Sequence, residues 1–197
     1  MRRNERGLTL IEVLVILLVI MTLAVIAIPP LMNARTRAEI ARTQQDLQVV
    51  ESAVEWFYMD NKTYPESTPP TALSNPGVWN RRGLLRLMEP VRYLDNLPSD
   101  RFQNTSLFGS SDLLYEFGSG GNRVVNGYRI EAWMLASRGP DGLPDTRHID
   151  TFPMGTVARE YSPTNGLRSE GDILRYGGHY TEGNWFLNGR RISAGNQ

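Results

Sequence analysis

The 197-residue sequence has no cysteine. That excludes disulfide staples, thiol catalysis and most structural zinc sites. Charge of either sign is not in excess. The 21 Lys and Arg are balanced by 21 Asp and Glu, so the basic footprint of a nucleic-acid binder is missing. Histidine is scarce. His148 and His179 have no partner at ligand spacing and read as loop residues. There is no nucleophile elbow, zincin helix or Walker sequence. Gly118-Ser119-Gly120-Gly121 lacks both a lysine and a following helical pattern, so it reads as a turn and not a phosphate cradle. With no convergent catalytic set, the chain does not read as an enzyme.

What is present is unevenly placed. From Leu8 to Ile28 only Thr9, Glu12 and Thr22 interrupt an apolar run. As a helix this run reaches about 30 Å, the thickness of a bilayer core. Arg2, Arg3 and Arg6 precede it, which keeps the N-terminus cytoplasmic and puts the remainder on the far side of a single-pass membrane anchor. A cleavable secretory signal is the bland alternative, with Val25-Ile26-Ala27 as its cut site. The run is longer than a usual signal core, however, and it carries a carboxylate.

The chain divides into a cytoplasmic leader (1–7), a long helix (8–60, with 8–28 spanning the membrane) and an extracytoplasmic globular domain (61–197). Beyond the membrane run, Ile40, Leu47, Val50, Val54 and Phe57 recur along one helical face, with Asp46, Glu51 and Glu55 on the wetter side. Pro29 and Pro30 predict a kink or a locally melted turn, because each lacks an N–H and crowds a carbonyl one turn back. Trp56, Phe57 and Tyr58 at the helix end read as core under a sheet.

After residue 60 the composition changes, and all but one of the 18 glycines lie there. Leu113–Phe117, Tyr128–Ala136 and Ile173–Tyr176 are the clearest strand-like runs. Residues 61–110 read as a long ordered loop with a short helix at Arg82–Met88. Asn165-Gly166 marks a hairpin. The expected fold class is α+β: a long N-terminal helix packed against a small antiparallel β-sheet with long loops.

Gly7-Leu8-Thr9-Leu10-Ile11-Glu12-Val13 resembles the processing motif of type IV prepilins and type II secretion pseudopilins. The resemblance implies a pilin-like fold, cleavage between Gly7 and Leu8 by a prepilin peptidase, and methylation of Leu8. The family also has a carboxylate where Glu12 stands. A carboxylate inside an apolar span costs about 2.5–3.5 kcal/mol at the bilayer centre and less near its edge, so it is a functional candidate by default. Once the leader is removed, Leu8 carries a free amine one helical turn from Glu12. Pairing Glu12 of one subunit with the Leu8 amine of a neighbour removes both charges from an apolar filament core, and this is the role the family assigns to that carboxylate.

Glu89–Leu94, Leu97–Phe102 and Trp133–Gly142 are similar to segments of the major, G-type pseudopilins. In that subfamily the last segment opens a calcium-binding loop. Here Asp141, Asp145 and Asp150, with Leu135 and Ser137, are the candidate ligands for a possible calcium. Calcium takes six to eight oxygens. Arg147 and His148 stand where the subfamily has acidic residues, and Asp172 with Asn165 or Glu170 offers further oxygens. A solvated Gly-Pro-Asp-Gly turn needs no metal.

The function expected from the resemblance is structural. The chain would be a subunit of a type II secretion pseudopilus or related type IV filament, assembled from the inner membrane to drive protein export. Identical subunits, prepilin peptidase, the assembly platform and minor pseudopilins would be its partners. The rivals are a surface type IV pilin (adhesion, motility or DNA uptake) and a membrane-anchored extracytoplasmic binding protein.

Overall fold

A computed structural model describes residues 9–67, 83–103, 114–121, 124–125, 128–129, 131–179 and 183–192. The chain divides into two compact units, Met1–Ala38 and Glu39–Gln197. A single helix, α1, runs from Leu10 to Asn61. Thr9 caps it: the Thr9 Oγ1 accepts the Glu12 N–H at 3.4 Å, and the Thr9 carbonyl accepts the Val13 N–H at 3.2 Å. Thr9 and Glu12 hold the two positions of a capping box, and a carboxylate in the first turn suits the positive end of the helix dipole.

Pro29 and Pro30 lie inside α1, and the helix continues through them. The locally melted turn expected from the sequence does not form. The missing N–H groups leave only the Val25 and Ile26 carbonyls without their helical donors, and the turns on either side keep the segment helical.

In the first unit the helix buries nothing. Leu14, Leu18 and Ile26 are 58%, 63% and 73% exposed. Among the described residues this is the one helix long and apolar enough to cross a membrane.

In the second unit the same helix buries Thr43, Leu47, Val50, Ala53, Val54 and Phe57. Their spacing of three and four residues makes one stripe. It is covered by a three-stranded antiparallel sheet of order β1-β4-β6, in which β1 is Glu116–Ser119, β4 is Glu131–Ser137 and β6 is Ile173–His179. β4 is central, and successive side chains on a strand point to opposite faces. Trp133 and Leu135 therefore join Leu47, Val54 and Phe57 in one core, while Ala132, Met134 and Ala136 enter a second. Burial on both faces explains why Trp133–Ala136 reads as an unbroken apolar run and not an alternating one.

The second core was not foreseen from the sequence. It lies under β5 (Met154–Ala158), β7 (Asn184–Leu187) and β8 (Arg190–Ile192), with Trp185 wedged edge-on between Phe152 and Tyr176 at ring centroid distances of 5.2 and 5.1 Å. β5 runs parallel to β7, and β7 turns back into β8 through Asn188-Gly189, both with positive φ. That is the backbone a two-residue hairpin turn requires. β2 (Val124–Val125) and β3 (Tyr128–Arg129) form a separate antiparallel pair. Asn165-Gly166 makes no hairpin. Pro163 starts a short 3-10 turn there, and the chain returns as an isolated parallel bridge between Glu160 and Asp172.

Two further expectations change. Trp56 is 55% exposed and outside the core, although Phe57 is buried. Three acidic residues assigned to the wet side of α1 instead tie it to its cover. Glu55 accepts the Trp133 indole N–H at 2.7 Å and the Tyr64 hydroxyl at 3.2 Å, Asp46 accepts the Tyr115 hydroxyl at 3.3 Å, and Glu51 pairs with Arg175 at 3.1 Å. The described part of 61–110 is irregular, as expected, with a helical stretch at residues 83–85.

Candidate functional site

Two regions carry the candidate residues. The first is the start of α1. Gly7 and Leu8 lie outside the described residues. Glu12 sits in the first turn, on a helix whose aliphatic side chains are exposed on every side through Met32. The next acidic residue along the chain is Glu39.

The second region is the loop between β4 and β5. Leu135 and Ser137 belong to β4 itself, and the central strand's backbone is paired with Phe117–Glu116 on one side and with Arg175–Ile173 on the other. The Ser137 hydroxyl donates to Asp100 Oδ1 at 2.8 Å. Gly139 to Gly142 forms a turn closed by the Gly142 N–H on the Gly139 carbonyl at 3.1 Å. Asp141 Oδ1 accepts the Leu143 N–H at 3.1 Å, and its Oδ2 is buried with no hydrogen-bond partner. Asp145 Oδ2 accepts the Gly171 N–H at 2.7 Å. Asp150 lies in a 3-10 turn, Ile149–Thr151, where its carbonyl accepts the Ser67 hydroxyl at 2.9 Å. This turn reaches β1 only because residue 118 is glycine, since an added Cβ would stand 1.7 Å from the Ile149 carbonyl oxygen.

Among the described residues no three His, Asp or Glu side chains are grouped so as to hold a metal. Ser137 donates to Asp100, Asp145 Oδ2 accepts from Gly171, and Asp141 Oδ2 is buried without a hydrogen-bond partner, so the grouped side chains fall short of the six to eight oxygens that calcium takes.

What the sequence reading missed is the set of buried charges behind this loop. Asp100 is 2% exposed, and besides Ser137 it accepts the N–H groups of Arg138 and Phe102, each at 3.0 Å. Arg138 is itself buried, and its Nη2 lies 3.6 Å from Glu116 Oε1. Asp172, also 2% exposed, accepts the Asp145 N–H at 3.2 Å. Burial raises all three carboxyls above the usual range, Asp172 to about 7. The Arg138 charge pulls Asp100 and Glu116 back down, and the Glu116 charge raises Asp172 further. Burial likewise raises Asp141, with Asp145 adding to it. A usable signal was present: Leu97–Phe102 and Trp133–Gly142, two segments that resemble the G-type subunits, meet at Asp100.

Residues 2–28 match the prokaryotic N-terminal methylation motif. Type II secretion system core protein G of Dickeya chrysanthemi is 27% identical over 154 residues, covering 74% of this chain and 84% of that protein. The core protein G of Escherichia coli is 27% identical over 147 residues, covering 71% and 84%, and that of Pseudomonas aeruginosa is 28% identical over 111 residues, covering 52% and 72%. No solved structure matches the chain. A methylation motif on a long apolar helix, with that helix packed farther along on a small antiparallel sheet, defines a pilin-like protein of α+β class. Within that class the chain is homologous to type II secretion system core protein G. The motif and the apolar helix fit anchoring in the inner membrane.

Proposed function

We propose that this chain is the structural subunit of a type II secretion pseudopilus or a closely related filament. Cleaved between Gly7 and Leu8 and methylated on Leu8, it would stay in the inner membrane with its N-terminus cytoplasmic and its globular domain extracytoplasmic. An assembly platform would then draw it, copy by copy, into a filament that drives export.

One observation carries this reading. The first part of α1 is aliphatic around its whole circumference, and its single carboxylate stands in its first turn. Lipid satisfies such a surface in storage, and other copies of the same helix satisfy it in a filament. Glu12 has no use in lipid, where a charge is costly. In a bundle of staggered helices it neutralises the Leu8 amine of the next copy. The work is mechanical, and no chemistry at a catalytic centre is required.

The test is co-expression of the full chain with a prepilin peptidase and an assembly platform. Mass spectrometry of the mature protein is expected to show a methylated N-terminus at Leu8. Glu12→Leu is expected to be inserted and cleaved normally but to give no filaments. Wild-type filament number and length in that variant, at equal expression, would remove the pairing role. An uncleaved Met1–Gly7 leader on assembled subunits would remove the processing step.

A further inference from the structure

The loop after β4 poses an electrostatic problem. Asp100 and Asp172 are buried behind it with Glu116 partly buried beside them, and Asp141 and Asp145 lie within it. Carboxylates crowded in this way need a cation, because uncompensated buried charge is strongly unfavourable. In the subfamily that the chain resembles, the cation is calcium. We infer that in this protein the cation is the chain's own Arg138, and that the loop is closed by internal hydrogen bonds without calcium.

Arg138 is the first residue beyond β4, and it is held at both ends. Its N–H donates to Asp100 Oδ2 at 3.0 Å, and its guanidinium lies 3.6 Å from Glu116 on β1. A guanidinium is always charged and offers five fixed donors, so it suits buried pairing better than an ammonium. The guanidinium meets Glu116 while the backbone N–H of the same residue meets Asp100, so one residue joins the carboxylates of two segments that are distant in sequence.

The far side of the loop is fastened differently. The Asp145 carboxylate accepts from Gly171 at 2.7 Å, while the Asp145 N–H donates to Asp172. The Asp172 backbone is fixed in turn, its N–H on the Arg159 carbonyl at 2.8 Å and its carbonyl on the Tyr161 N–H at 2.9 Å. Gly139 lies so close to this segment that a Cβ there would be 2.2 Å from the Gly171 carbonyl oxygen. Glu170, the remaining acid nearby, pairs with Arg159. Asp145 Oδ2, the Asp172 carboxylate and Glu170 are thus engaged as hydrogen-bond or ion-pair acceptors, and among the described residues no three acidic or histidine side chains are grouped as a calcium site would need.

The experiment uses the full chain in detergent micelles. Amide hydrogen exchange is followed by mass spectrometry on peptides covering residues 139–150, first in millimolar calcium chloride and then in excess chelator. Exchange in the wild type is expected to be superimposable under the two conditions. Arg138→Met is expected to speed exchange of 139–150 and of 97–102 by tenfold or more, equally with and without calcium. Asp145→Asn is expected to keep most of the protection, because the amide oxygen still accepts from Gly171, whereas a calcium ligand would be lost. Asp145→Asn also keeps the question answerable if Arg138→Met does not fold. Faster exchange of the wild-type loop in chelator, reversed by calcium, would overturn the inference. So would an Arg138→Met loop as protected as the parent's, or an Asp145→Asn loop that loses its protection. Filament formation is not measured here, so either outcome leaves the filament proposal standing or falling on its own test.

Discussion

The two parts of α1 both carry large aliphatic residues, and these meet opposite surroundings. Leu14, Leu18 and Ile26 are more than half exposed, whereas Leu47 and Val50 are fully buried. The difference lies in patterning. The first part is apolar at nearly every position, so no face is singled out for a partner within the chain. In the second part the buried residues recur every third or fourth position among mostly polar neighbours, which singles out one face for the sheet. A helix apolar all round needs lipid or copies of itself, and a helix with one apolar stripe needs a local cover. On the proposed function, one helix would serve two purposes, assembly in its first part and folding in its second.

The largest effect should come from separating the two. A fragment beginning at Arg35 retains the stripe and its cover and loses the all-apolar surface. It is expected to be soluble without detergent, cooperatively folded and monomeric in analytical ultracentrifugation. Filaments from this fragment would put the assembly determinants on the wrong side of the comparison.

Next in size is one substitution made in each part. Leu47→Ala should cost about 2–5 kcal/mol of domain stability, the usual range for a buried leucine. Leu17→Ala, at an exposed position, should leave the thermal unfolding of the domain in place while weakening filaments. Equal shifts in melting temperature would contradict the division of labour.

A smaller effect is expected at Glu55. Alanine there leaves the Trp133 indole N–H and the Tyr64 hydroxyl without their acceptor, at a cost of about 1–3 kcal/mol. Denaturant unfolding followed by tryptophan fluorescence measures it. The smallest is Glu51→Ala. Its pair with Arg175 is partly exposed, and such pairs contribute roughly 0–1 kcal/mol. A cost at Glu51 matching that at Glu55 would mean that the tethers act as one network.

Particular residues show where sequence reading succeeds and where it stops. The aliphatic character of the first run and the stripe from Leu47 to Phe57 are local patterns, set by residue type and spacing along one helix. The β4 and β6 strands fall on the expected runs Tyr128–Ala136 and Ile173–Tyr176, where apolar residues gather, whereas β1 begins only at Glu116, near the end of the run Leu113–Phe117. Their neighbour in space, the β5-β7-β8 sheet, was not expected. Its strands have three to five residues, too few for a period of two to stand out, and β5 pairs in parallel with a strand more than twenty residues later. Asn-Gly occurs at 126–127, 165–166 and 188–189, and the strands flanking the first and the last pair, whereas the stretch around the second makes no hairpin.

The sequence by itself determined a long apolar helical run, an isolated carboxylate near its start, and a stripe that calls for a covering sheet, and its resemblance to prepilins marked the processing motif. The run, the carboxylate and the stripe follow from residue type and from spacing within one element. Only the tertiary structure decided what the charged residues do. Glu55 is a tether because Trp133, 78 residues away, presents its N–H to it. Arg138 is a buried cation because β1 and the loop at Asp100 bring carboxylates to it. Asp145 is a hydrogen-bond acceptor, not part of a ligand cluster, because Gly171 lies close enough to donate. A charged side chain takes its role from the group opposite, and chain topology, which no local pattern encodes, decides which group that is.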